Sequence, residues 1–98
     1  MLRVIILPAA EQDIVDLGRS LLERAGRITS DAMVERIFTK IELLGEFPRI
    51  GTPRDDFRPG TRVSAARPYL IFHTIANDTV IVLRVLHGAR DIKPEMLP

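Results

Sequence analysis

The strongest constraint on how this chain can fold is a change of hydrophobic period near its middle. From Pro8 to about Glu46 apolar residues recur at helical spacing, whereas from Thr61 to His87 they come in short runs with no helical period. The stretch between, Pro48 to Gly60, holds three prolines and two glycines and reads as a loop, with Pro59-Gly60 marking a tight turn.

The first helix is predicted from Pro8 to about Ala25. Pro8 suits the first turn, where its missing N–H would have no partner, and Glu11, Asp13 and Asp16 put negative charge near the positive end of the dipole. Its apolar stripe is Ala10, Ile14, Leu17 and Leu21, widened by Val15 and Leu22. Gly18 in the middle costs about 1 kcal/mol against alanine, a cost explained by close approach of a neighbouring element. Gly26 suits a left-handed cap, and Thr29-Ser30-Asp31 offers N-cap oxygens after a loop of a few residues. A second helix from Asp31 to about Glu46 carries Val34, Ile37, Ile41 and Leu44, with Phe38 on the flank, until Phe47-Pro48 stops it. Two helices so joined form an antiparallel hairpin.

Leu2 to Leu7 is continuously apolar and short, which predicts an interior or well-covered strand. Thr61 to Ala66, Pro68 to Ile75 and Thr79 to His87 read as three more strands, the last two joined by Ala76-Asn77-Asp78, residues that tolerate positive φ. The last strand is apolar on both faces, so it belongs in the middle of the sheet, between its hairpin partner and the N-terminal strand. The expected fold is α+β, in the order β-α-α-β-β-β: a helical hairpin packed on a small, mostly antiparallel sheet, whose other face is left to solvent or a partner. Residues 1–98 form one domain, with 91–98 as a tail.

Composition excludes whole classes of function. At 98 residues there is no room for separate cofactor and substrate domains, and with 46% apolar residues and no cysteine the fold rests on packing, without disulfides or a cysteine zinc site. The longest apolar runs, Val4 to Ala10 and Val80 to Leu83, fall short of the roughly 20 residues that span a bilayer. The N-terminus is too short for a signal-peptide core, which predicts a cytoplasmic protein. The net charge of +1 divides unevenly: residues 1–48 carry six basic and eight acidic side chains, and residues 49–98 eight and five, making the second half the anion-facing side. Twelve of the fourteen basic residues are arginine, suited to paired hydrogen bonds with carboxylate or phosphate, while a coding bias toward arginine is the favoured explanation for surface positions such as Arg19, Arg24 and Arg27.

The element order, the segment Phe47-Pro48-Arg49-Ile50-Gly51-Thr52-Pro53, and the closing Val82-Leu83-Arg84-Val85-Leu86-His87-Gly88-Ala89-Arg90-Asp91 together resemble the RelE/ParE superfamily of bacterial type II toxins, and more closely its ParE branch. The resemblance covers nearly the whole chain, from Pro8 through Asp91. It implies a toxin that inhibits DNA gyrase by binding and is neutralised by a small ParD-like antitoxin, with no cofactor, no metal and no sequence-specific nucleic-acid binding. The RelE branch instead cleaves messenger RNA on the ribosome, which requires an acid, a base and cations around a phosphorane-like transition state. Arg62 and Arg90 fall near basic positions of that branch. Tyr69 stands where it keeps an arginine, and the tail from Ile92 to Pro98 holds no tyrosine or histidine. An endoribonuclease using Arg62, Arg84 and Arg90 is the alternative. A relic that binds its antitoxin without toxicity is a third.

Candidate target-contacting residues are Arg62, Arg84, His87 and Arg90. His87 and Arg90 flank Gly88 just past the last strand, where a turn exposes side chains; the competing reading has His87 bonded to a backbone carbonyl and Arg90 paired with Asp91. Arg84, among apolar neighbours, must be paired or must project from the open sheet face; the open face is expected, where with Arg62 and Arg67 it forms a basic patch for an acidic antitoxin segment. His73 is expected at the surface or half-buried on its strand, not as a ligand. Asp55-Asp56 reads as a loop pair, and Asp13 and Asp16 lie beside no basic partner that would make a hydrolase dyad. Val15, Leu22, Met33 and Leu43 remain as apolar side chains beyond the core face, a seat for an amphipathic antitoxin helix.

Overall fold

The computed structural model describes residues 1–98. In chain order it contains β1 (Arg3–Ile6), α1 (Pro8–Ala25), α2 (Arg27–Glu46), β2 (Thr52–Pro53), β3 (Arg62–Ala66), β4 (Tyr69–Ala76), β5 (Thr79–His87) and a 3₁₀ turn, Pro94–Met96. No helix is long and apolar enough to cross a membrane.

The helical hairpin is tighter than the sequence suggests. Gly26 alone, at φ 90°, joins the two helices, so α2 begins a turn earlier than Asp31. Ser30 therefore does not cap a helix; it lies inside α2 and donates its hydroxyl to the Gly18 carbonyl at 2.7 Å. The expected close approach at Gly18 is present: a Cβ there would meet Val34 Cγ2 at 3.3 Å. Ala10, Ile14 and Leu17 of α1 and Ile37, Ile41 and Leu44 of α2 are buried, as their spacing requires.

The sheet has the order β1-β5-β4-β3-β2, with β1 parallel to β5 and every other pair antiparallel. β5 lies between β1 and β4, the two neighbours expected, although the middle strand of the five is β4; Asn77 and Asp78 at its hairpin turn have φ of 52° and 55°, as the turn chemistry predicts. Two expectations fail. β1 is an edge strand with Ile5 exposed, because its four residues pair on one side only. Its greasy sequence is used on both faces at that edge: Leu2, Val4 and Ile6 pack on the helix-side core and Leu7 packs beneath. The Pro48–Gly60 loop contains β2, a pair of residues added to the edge of β3, where a proline is tolerated because no further strand needs its N–H.

The far face of the sheet is not open. Phe72, Leu83 and Leu86 are buried there beneath Leu97, with Phe57, Ile92 and Met96 packed around them, a second small core opposite the one under the helices. The Arg58 guanidinium fastens this cover by donating to the carbonyls of Leu97 and Pro98. Residues 91–98 are thus part of the fold, and the sequence gives no periodic sign of it because the cover is a single irregular turn.

A bulge in β5 organises both cores. Phe72 pairs with Arg84 and His73 with Val82, leaving Leu83 as the extra residue. Val80 and Val82 face the helices, and strict alternation would put Arg84 there as well; the extra residue shifts the phase so that Val85 takes that place. If the tail is structural, Leu97→Ala should cost about 2–4 kcal/mol. Urea denaturation, with the midpoint lowered and the slope unchanged, is the check.

Candidate functional site

β1 accompanies β5 only as far as Val82, so the edge of β5 beyond it has no strand beside it. Asp13, in the second turn of α1, fills the gap. Its carboxylate accepts the Val85 backbone N–H at 2.9 Å and both arms of the Arg84 guanidinium, Nε at 2.7 Å and Nη2 at 2.8 Å. Nη1 of Arg84 reaches on to the Met96 carbonyl at 2.8 Å. One arginine therefore ties α1, β5 and the C-terminal cover together. The expectation that Arg84 projects freely from an open sheet face is corrected, as is the expectation that Asp13 has no basic neighbour. The bulge turns Arg84 off the helix-facing side, and the bidentate fork then satisfies a charge that lies mostly out of water.

Arg62 is likewise engaged. Its guanidinium donates to the carbonyls of Arg49 at 2.5 Å, Gly51 at 3.1 Å and Ile50 at 3.4 Å. The cross-strand neighbour of Arg62, His73, takes the fourth carbonyl in the row: Nε2 donates to Pro48 O at 2.8 Å. His73 is fully buried rather than half-exposed, because this loop folds over it, and its Nδ1 has no partner. Gly51 closes the clamp, since at φ 90° a Cβ would collide with the Val63 carbonyl and lie 2.7 Å from Ser64 Oγ. Arg67 is exposed at the β3–β4 turn, where its own carbonyl accepts from Arg36 at 3.2 Å. Arg62, Arg67 and Arg84 thus do not form one basic patch.

His87 and Arg90 are exposed at the turn after β5, as expected. Neither competing contact is made: His87 Nδ1 accepts the Ala89 N–H at 3.0 Å, and Asp91 faces Lys93 at 3.9 Å. The Gly88 N–H donates to Pro68 O at 2.8 Å, fixing this turn against the neighbouring one.

The four leftover apolar residues separate into two places. Val15 and Leu22 lie on the outer face of α1, 48% and 50% exposed. Met33 packs partly against the helix-side core, and Leu43 lines a groove of about 510 Å³ between α2 and β3 with Arg36, Lys40 and Ala65. Phe38, 40% exposed, is the residue the sequence reading missed. Gly18 faces Val34, and one turn further along each antiparallel helix brings Val15 level with Phe38. Its flank position on the helical wheel was the available signal.

Two outcomes test this geometry. Asp13→Asn should cost about 3 kcal/mol by stranding the Arg84 charge, and a second change, Arg84→Met, should recover part of the loss in chemical denaturation. Burial holds the His73 imidazole below its ordinary range, outweighing the Pro48 carbonyl, and Arg62 adds to the lowering. Its contribution to stability is therefore complete above about pH 6.5 and is lost as pH falls from there through the lower folded-state value. His73→Gln, which removes the titration and keeps an N–H donor, should flatten that part of the stability–pH curve.

The profile described as the ParE toxin of the type II toxin-antitoxin system, parDE, matches residues 4–92. Toxin ParE3 of Caulobacter vibrioides is 29% identical over 94 residues, spanning 96% of this chain and 94% of that protein. Toxin ParE1 of Mycobacterium tuberculosis is 28% identical over 91 residues, spanning 92% and 93%. Among solved structures, a chain from the chromosomal ParDE TA system of P. aeruginosa superposes with a TM-score of 0.78 over 89% of this chain and 96% of its own, at 18% identity, and so shares the fold. With a family profile running through all five strands and both helices, the chain belongs to the ParE toxin family of type II toxin–antitoxin systems.

Proposed function

We propose that this toxin inhibits DNA gyrase in the cytoplasm by binding, without active-site chemistry of its own, and that a ParD-like antitoxin neutralises it. The observation that carries this reading is the engagement of two of the three arginines that the endoribonuclease alternative calls on, Arg90 being the one left exposed. Arg62 is spent on three loop carbonyls and Arg84 on Asp13 and Met96. Neither is free to stabilise charge on a reacting phosphate. The ParDE origin of the structural neighbour supports an antitoxin partner. The outer stripe of Val15, Leu22 and Phe38 supports a helix as the docking element, and the α2–β3 groove at Leu43, with Arg36 and Lys40, supports an acidic segment beside it.

Purified toxin in a plasmid-supercoiling reaction should stop gyrase or trap cleaved DNA, and message should stay intact on translating ribosomes. Full supercoiling at large toxin excess overturns the reading, and codon-phased cuts would move it to the endoribonuclease. Growth unaffected by expression without antitoxin would mark a relic. For the antitoxin, Leu22→Asp should weaken binding by about 1–2 kcal/mol or more at any salt concentration, and Arg67→Glu mainly at low salt. Calorimetry on variants shown to be folded measures both.

A further inference from the structure

The groove between the C-terminal half of α1 and the turn after β5 gathers donors that the fold leaves without acceptors. It is an open groove of about 310 Å³, lined by Ser20 and Arg24 of α1, Tyr69 and His87 of the sheet, and Arg90 of the turn after β5. Arg24 uses only Nε, donating to Ser20 Oγ at 3.1 Å, so both its terminal nitrogens are free. Arg90 makes no ion pair. His87 accepts at Nδ1 from the Ala89 N–H, so the neutral ring carries its proton on Nε2 and donates outward. The Tyr69 ring holds His87 edge-on at 5.4 Å and 80°, and its hydroxyl is neither sealed nor bonded within the protein.

Two carboxylates also line the groove. Asp13 is saturated by Arg84 and the Val85 N–H. Asp16 accepts from Gln12 at 2.8 Å and stands within ion-pair distance of no cation. With Asp13 neutralised, Arg24 and Arg90 outnumber Asp16, and the apolar floor of Leu17 and Val85 strengthens whatever electrostatics act above it.

We infer that this groove binds a phosphate group. Two guanidinium ions, an imidazole N–H and a phenol approach from α1, β4, β5 and the following turn. That is more donors, spread over more directions, than the two coplanar oxygens of a carboxylate can use, and it suits the tetrahedral oxygens of phosphate. The site is independent of the gyrase reading, because a chain inert toward gyrase would keep the same donors.

The test is an NMR titration of the full-length chain with inorganic phosphate and, separately, with a single-stranded oligonucleotide lacking a terminal phosphate. Saturable shifts at Arg24, His87 and Arg90 are expected. Arg90→Ala and Arg24→Ala should each weaken binding about tenfold, and His87→Phe, which keeps the edge contact with Tyr69, should weaken it too. Arg19→Ala, exposed elsewhere on α1, should not. Saturation by the oligonucleotide with a steep salt dependence assigns the site to a nucleic-acid backbone; saturation by inorganic phosphate alone assigns it to a free phosphate group. Shifts that never saturate, an equal effect of Arg19→Ala, or acetate binding as well as phosphate would each overturn the inference.

Discussion

A parallel edge strand that stops halfway leaves its neighbour in the sheet with unpaired N–H groups beside a helix, and the Asp13 carboxylate is what makes that arrangement stable here. It accepts one of those N–H groups itself and holds an arginine across the rest of the gap. The ion pair need not add much net stability, because removing both charges from water is costly. What it fixes is position. α1 cannot slide along β5, nor β5 lose its bulge, without stranding one of the two charges, and lifting the C-terminal cover takes the Met96 carbonyl away from Arg84.

The arginine-rich composition acquires a structural meaning from the same contacts. Arg36, Arg58, Arg62 and Arg84 each donate to backbone carbonyls far away in sequence. In a chain with no disulfide these guanidinium forks cross-link loops and the tail to the sheet, a task that lysine, with a single flexible ammonium, performs poorly. Among the cations left at the surface for a partner are Arg67, Arg90 and members of the two grooves.

Much of this was readable in advance. Pro8 to Ala25 as a helix, Thr79 to His87 as a strand between its hairpin partner and the N-terminal strand, and the Gly18 contact follow from spacing and from the cost of a mid-helix glycine. What escaped was phase and coverage. A single extra residue at Leu83 decides which face Arg84 occupies, and alternation in a strand apolar on both sides cannot reveal it. The cover by Ile92, Met96 and Leu97 has no period, and the pairing of Asp13 with Arg84 joins residues that only the completed fold brings together. For the binding surfaces, the exposed stripe was half legible: Val15 and Leu22 were found by subtraction from the core face, but separating Met33 and Leu43 from that surface needed the rotation of α2 against α1.

The pairing of β1 with β5 also orders events in time. Arg3 lies beside Thr79, so β1 is synthesised long before the strand it pairs with. Until then the growing chain can close only its local contacts, the helical hairpin foremost, and the long-range pairings form last and slowly. A nascent chain interrupted anywhere before β5 has no strand to join β1 to β4, no Arg84 fork and no floor for either core. The surfaces that rest on β5 therefore come into being together, once that strand is made, and a copy lacking it carries none of them in finished form.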